Sequence, residues 1–184
     1  MPEALHVERA ATTRLRAPTA RDGAAMWALV HEAGTLDPNS AYLYVLLADR
    51  FADTCAVAER DGRLVGMLTG FRPPRDPSTY FVWQVGVSPS ARGEGLAARL
   101  LDEVVARHPE VRFLEATVSP SNAASDALFT GFARRHGAPL HRSEGYGAEL
   151  FPRPHGGAAH EPEPLLRIGP FSASGSSTPE RSLS

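Results

Sequence analysis

The sequence predicts a single α/β domain with helices packed on a central sheet, and three observations point there. Strand-like and helix-like segments follow one another in the order β-α-α-β-β-β-α-β-α-β-β. No internal repeat interrupts that series. The chain of 184 residues, 42% hydrophobic and 22% charged, can bury one core without disulfide or metal staples.

Leu15-Arg16 reads as a short strand. Pro18-Thr19 opens a helix, with Thr19 as N-cap and Asp22 three residues on in a variant of the capping box. Met26, Val30 and Ala33 share one helical face, and Gly34 ends the helix. After the polar break Leu36 to Ser40, a second helix is expected to carry Leu43, Leu46 and Leu47 inward. Cys55 to Glu59 and Leu64 to Phe71 form a hairpin around Asp61-Gly62, which supplies positive φ. The proline-rich stretch Arg72 to Pro77 cannot be the interior of a sheet or helix. Tyr80 to Val87, rich in aromatic and β-branched residues, is the most strand-like segment.

Gly95 to His108 is helical, with Leu96, Leu100, Leu101, Val104 and Val105 on the buried face and Pro109 as the stop. Val111 to Val118 is a strand, and Asn122 to His136 is a helix with Leu128, Phe129 and Phe132 inward. Leu140 to Leu150 and Leu165 to Ile168 close the sheet. Residues 14–171 form the domain. Residues 1–13 lack the apolar core of a signal peptide and are expected to be flexible. Residues 172–184, mostly serine, carry too little apolar surface to offset ordering entropy and are expected to be disordered.

The formal net charge of -2 offers no basic field for a nucleic acid. No stretch approaches the roughly 20 apolar residues of a membrane span. The single cysteine, Cys55, sits in an apolar run without metal-ligand spacing and reads as a buried spectator. It also suits a reducing, cytoplasmic setting.

The chemistry gathers after Val87. Ser88 to Ala91 leads into Arg92-Gly93-Glu94-Gly95-Leu96-Ala97 and then a helix, which makes an anion site: the first helical N–H groups lack internal partners and the dipole adds partial positive charge. Gly93 and Gly95 allow close backbone approach, and Arg92 adds a full charge. Gly93, Gly95 and Ala98 also fit the dinucleotide pattern, with Glu115 near the distance expected of a ribose-binding acid. Against that reading, five residues separate the strand from the first glycine, and the motif follows three strands and two helices.

At these residues the sequence resembles the GCN5-related N-acetyltransferase superfamily, whose cofactor motif is met by Arg92, Gly95 and Ala97. The resemblance implies an α/β (α+β mixed) acetyltransferase fold with a central, mostly antiparallel mixed sheet flanked by helices. It implies acetyl-CoA as acetyl donor and no metal, with Val85, Val87, Arg92, Gly93, Gly95, Leu96, Ala97, Asn122 and Ser125 against the coenzyme. Asn122 equally suits a helix N-cap. Three blocks, Leu36 to Tyr44, Phe81 to Val85 and Thr117 to Asn122, narrow the likeness to the diaminobutyrate acetyltransferases of ectoine biosynthesis. So does the C-terminal stretch holding His160, Glu163, Leu165, Arg167 and Ile168.

That narrower resemblance implies acetylation of the γ-amino group of a diamino acid by a homodimer in osmotic stress. An alkylammonium with a pKa of about 10 must lose a proton before it attacks a thioester, so a base and a donor for the departing thiolate are required. The resemblance puts Glu163, Tyr42 and His160 in the catalytic roles and Asp37, Tyr42, Trp83 and Glu163 around the diamino acid. Exposed acids are ordinarily solvated surface, and Trp83 serves equally as core. His155 reads as loop surface. Phe129 stands where many members carry a tyrosine acid; it cannot donate a proton, so the acid lies elsewhere or is water. Pro162 and Pro164 flank Glu163 and disfavour a regular strand there. Transfer to another small amine and a non-catalytic acyl-CoA-binding module are the alternative readings.

Overall fold

The structure, a computed structural model, describes residues 12–34, 36, 38–152 and 159–172. The expectations for residues 1–11, for the tail from 173 onward, for Asp37 and for His155 lie outside the described residues.

Among the described residues, seven strands form one sheet: β1 (Arg14–Arg16), β2 (Ala56–Arg60), β3 (Arg63–Phe71), β4 (Thr79–Val87), β5 (Phe113–Thr117), β6 (Leu140–Tyr146) and β7 (Glu163–Ile168). Their spatial order is β1-β2-β3-β4-β5-β7-β6. Only β4 and β5 run parallel; the other neighbours are antiparallel. The helices are α1 (Gly23–Ala33), α2 (Ala41–Arg50), α3 (Leu96–Arg107) and α4 (Ala123–Arg135).

Local chemistry explains these elements. Thr19 precedes a short 3-10 turn into α1, and the Asp22 carboxylate accepts from its backbone N–H at 2.7 Å and its hydroxyl at 3.0 Å. Gly34 closes α1 in the left-handed region at φ 66, its N–H on Val30 O at 3.3 Å. Asp61 (φ 52) and Gly62 (φ 74) turn the β2–β3 hairpin, as the Asp-Gly pair predicts.

Alternation on β2 and β3 splits the core. Ala56, Ala58 and Leu68 join α3 and α4 on one face, with Leu100, Leu101, Val104, Phe129 and Phe132. Val57 and Met67 join Met26, Leu29, Val30, Tyr44 and Ala48 of α1 and α2 on the other. The five residues expected on the inner face of α3 are all buried. In α2 the expectation needs correction: Leu47 is buried, but Leu43 and Leu46 are half-buried and Tyr44 and Ala48 fill the core. Tyr44 fits because its hydroxyl donates to Gln84 Oε1 at 3.0 Å, which removes the cost of burying an unpaired polar group. In α4, Phe129 and Phe132 are buried as expected, while Leu128 is half-buried.

Candidate active site

The cleft starts from a mismatch in strand pairing. β4 pairs with β3 from Phe81 to Val87, yet with β5 only at Thr79, Tyr80 and Phe81. Register shifts between Thr69 and Gly70, which face Gln84 and Val82, leaving Trp83 as the extra residue of a β-bulge. A bulge bends its strand and increases twist, while β5 continues against β7 as far as Thr117. Beyond Phe81 one edge of β4 therefore carries backbone groups that β5 does not take, and such groups seek partners. A cleft of about 2140 Å³ opens there. That exceeds the roughly 300–1,000 Å³ typical of one small-molecule site and leaves room for a large and a small ligand together.

At one end lies the glycine turn. Gly93 (φ 81) and Gly95 (φ 69) are left-handed, and Gly95 is the N-cap of α3. Arg92, Gly93, Gly95, Leu96 and Ala97 all line the cleft, as do Val85 and Val87 on the open edge of β4. The expected role of Arg92 is altered: its Nη2 donates to Ala33 O at the end of α1, at 2.7 Å. The neighbouring Glu94 pairs with Arg60. These contacts hold the turn from both sides, so its attraction for anions comes chiefly from backbone N–H groups and the α3 dipole. Asn122 caps α4, its Oδ1 accepting from Ser125 N at 3.0 Å. Both residues also border the cleft, so capping leaves the Asn122 amide NH₂ available.

The other end is aromatic and acidic. Trp83, 49% exposed, lines the cleft with Glu163, His160, Glu161 and Glu115. Glu163 is the first residue of β7, pairing with Tyr146 of β6, which corrects the expectation that its prolines keep it out of a strand. Proline removes only a donor: Pro164 O still accepts from Val118 N at 3.0 Å. The ladder also shifts between Ser143 and Tyr146, where Gly145 adopts φ 63. A Cβ at that glycine would sit 2.2 Å from Glu163 O, so glycine permits the approach.

His160 stacks on Phe151 with centroids 3.8 Å apart, and its Nδ1 lies 2.6 Å from Glu161 O. A carbonyl oxygen only accepts, so Nδ1 carries the proton in this contact and Nε2 is left for other partners. Glu161 accepts from the backbone N–H of Ser121 at 3.2 Å and its hydroxyl at 2.8 Å, which holds its carboxyl below the usual range. Tyr42 is not brought here: it is 73% exposed on α2 and outside the cleft lining. Two residues apart on a helix, Tyr42 and Tyr44 point to nearly opposite sides, and Tyr44 is the one turned inward.

Cys55 is fully buried, and burial raises its thiol to about 11. It is no nucleophile at neutral pH. Among the described residues, no group of His, Cys, Asp and Glu side chains is arranged to hold a metal ion. Sequence reasoning missed Glu161 and Gly145, and it weighed Glu115 only as a ribose-binding acid. Alternation of Glu115 with Leu114 and Ala116 was the available signal for a cleft-facing acid; Glu161 had none.

The family model for acetyltransferases (GNAT family) matches residues 24–132. The chain belongs to the acetyltransferase (GNAT) family. It is 47% identical over 162 residues to the L-2,4-diaminobutyric acid acetyltransferase of Halalkalibacterium halodurans, covering 87% of this chain and 83% of the relative. The enzyme of the same name from Streptomyces avermitilis is 46% identical over 176 residues, or 94% of this chain and 92% of the relative. The diaminobutyrate acetyltransferase of Paenibacillus lautus, solved with L-2,4-diaminobutyric acid and coenzyme A, superposes with a TM-score of 0.82 at 48% identity. That superposition covers 88% of this chain and 96% of the other.

As a GNAT protein the chain uses acetyl-CoA as its acetyl donor, and the dinucleotide reading of the glycine turn falls. The residues present fit that donor: left-handed glycines open to the cleft, a helix N-terminus behind them and, beside them, the stretch of β4 that does not pair with β5. Phe129 is 2% exposed and packs in the core, so it contributes volume to α4 and nothing to proton transfer.

Proposed function

We propose that this protein transfers the acetyl group of acetyl-CoA to the γ-amino group of L-2,4-diaminobutyrate, giving Nγ-acetyl-diaminobutyrate for ectoine synthesis. One observation carries the reading: a single cleft joins an anion-binding helix N-terminus to a pocket walled by Trp83 and edged with Glu163, Glu161 and Glu115. The first end suits a pyrophosphate and the second a small molecule with two ammonium groups. Relatives 41–47% identical that carry the name diaminobutyric acid acetyltransferase support the choice of acceptor.

In this reading the backbone N–H groups of Leu96 and Ala97, with Gly93 and Gly95, hold the pyrophosphate. Val85, Val87, Asn122 and Ser125 hold the arm that ends in the thioester. Acetyl-CoA supplies an activated acetyl carbon. Glu163, directly or through water, takes a proton from the γ-ammonium, and the freed amine attacks that carbon. The new C–N bond forms, the nitrogen gives up its second proton to water, and the C–S bond breaks; the departing thiolate leaves as thiol after protonation by His160 or water. No covalent enzyme intermediate is involved. The Trp83 face attracts an ammonium group by cation–π interaction. The resemblance adds Asp37 to the residues assigned to binding the diamino acid. The protein acts as a cytoplasmic homodimer in cells under osmotic stress, a role supported by its resemblance to ectoine-forming enzymes.

Thiol release measured with diaminobutyrate, ornithine, lysine and an aminoglycoside tests the assignment. The expected result is a kcat/KM for diaminobutyrate at least about tenfold above the others, the low end of what one extra methylene costs. Equal turnover of all four overturns the acceptor, and acetyl-CoA binding without any turnover overturns catalysis. Glu163→Gln should cost about 10²–10⁴-fold in kcat, the usual worth of a general base. Full activity across pH would remove Glu163 from that role.

A further inference from the structure

The glycine turn accounts for two of the three phosphates of coenzyme A, those of the pyrophosphate. The third, a monoester on the 3′ position of the ribose, carries a charge of about −1.5 to −2 at neutral pH and calls for a cation of its own. The chain contains no lysine. Among the described residues, the arginines that line the cleft are Arg92 and Arg135. Arg92 donates to Ala33 O, which leaves Arg135.

Arg135 is the last residue of α4, and the helix makes room for it to face the cleft. Every fourth residue back from it, Gly131, Ala127 and Ala123, lines the cleft too, since residues four apart share one face of a helix. All three are small, so no long side chain on that row stands before the guanidinium. The atom nearest to a Cβ built on Gly131 is Arg135 Nη1, at 3.7 Å: the guanidinium folds back over the glycine.

Two partners orient the guanidinium without saturating it. Nη2 donates to both carboxylate oxygens of Asp102, at 3.0 and 3.2 Å, and the guanidinium carbon lies 5.8 Å from the centroid of the Phe132 ring. A guanidinium has five N–H donors; among the described residues, Nη1 and Nε donate to nothing. As a strut the pair offers little, because its side chains are 39% and 42% exposed and such ion pairs add little stability. Asp102 also ties Arg135 to the glycine turn. It lies four residues beyond Ala98, which lines the cleft from α3. From Leu96 to Asp102 is roughly 9 Å of helix at 1.5 Å per residue. One ribose between the pyrophosphate and the 3′-phosphate spans most of that gap, and the long arginine side chain covers the rest.

We infer that Arg135 binds the 3′-phosphate of coenzyme A and so selects the phosphorylated coenzyme over its 3′-dephospho form. Nη1 gives the phosphate a charge-assisted hydrogen bond while Nη2 stays on Asp102, which holds the planar fork in one orientation. Arg135 acts on the affinity for the donor and takes no part in the proton transfers. The inference rests on the pyrophosphate lying at the glycine turn and is independent of the acceptor.

Calorimetry on the full chain, with no acceptor present, compares coenzyme A with 3′-dephospho-coenzyme A. Wild type is expected to bind coenzyme A about tenfold or more tightly, the worth of one hydrogen bond to a charged group. Arg135→Gln should bind coenzyme A about tenfold more weakly and the dephospho form as wild type does, so the ratio falls towards one. A strut would instead lower the melting temperature and weaken both probes alike, leaving the ratio unmoved, which overturns the inference. Should Arg135→Gln fail to fold, the wild-type ratio still decides: a preference of about tenfold supports the inference and equal affinities overturn it. Wild type that binds neither probe refutes the pyrophosphate site at the glycine turn. Wild type that binds both equally refutes only the role of Arg135.

Discussion

Asp22 shows how one carboxylate serves two elements. It accepts from Thr19 at the entry to α1 and from Arg16 Nη1 of β1 at 2.8 Å. The Arg16 guanidinium, first among the causes, holds its carboxyl at about 2, below the ordinary 3.8. A carboxylate depressed on folding stabilises the protein above its ordinary pKa, and that contribution is lost as pH falls through the folded value. Asp22→Asn is expected to cost about 1 kcal/mol near neutral pH, because the pair is partly screened by solvent. The gap to wild type should close between pH 3.8 and about 2, as read by denaturant melts at several pH values. A gap that stays constant to pH 2 would show that the pair adds nothing. At the same scale, Cys55 and Phe129 were legible in the sequence because an apolar run around a residue nearly fixes its burial.

Among the elements, the β6–β7 ladder sets the position of Glu163, and Gly145 is its weak point. A side chain there meets both a left-handed φ of 63 and the Glu163 carbonyl at 2.2 Å. Gly145→Ala should destabilise by about 1–3 kcal/mol through backbone strain and displacement of the ladder. It should also reduce kcat by moving Glu163, although residue 145 carries no reacting group. Thermal melting beside steady-state kinetics checks this, and wild-type kcat in the folded variant would show that Glu163 tolerates the shift. Helix α3 is the opposite case. Its apolar positions at i, i+4, i+5, i+8 and i+9 specify one buried stripe, so the sequence names all five core residues.

In the whole molecule, α1 packs on β3 and β4 with α2 beside it, while α4 joins Leu114, Ala116, Leu166 and Ile168 in the main core. The alternating residues Phe113, Thr117 and Leu165 lie on the opposite face of β5 and β7 and stay half-buried. Thr117 and Leu165, with Tyr146 at 52% and Leu150 at 65% exposure, line the cleft, so this face serves ligands. The proposed homodimer predicts sedimentation at twice the mass of one chain at micromolar concentration. A single species at the mass of one chain overturns it.

Local patterns in the chain suffice for the order and type of the elements, the Asp61-Gly62 turn, the caps at Thr19 and Asn122, the glycine turn before α3 and the stripe of α3. Each depends on residues within about one helical turn or one hairpin of one another, where local sterics and periodicity are decisive. Tertiary structure alone decided where β4 leaves β5, because the bulge at Trp83 appears only in the pairing with β3. It turned Arg92 to Ala33, 59 residues away, and placed Glu161 on Ser121, 40 residues away. It also turned Tyr44 into the core while leaving Tyr42 exposed, and kept Glu163 in a strand beside two prolines. These outcomes follow from which backbone groups and charges find partners across the sheet, and no local pattern encodes a partner so distant in the chain.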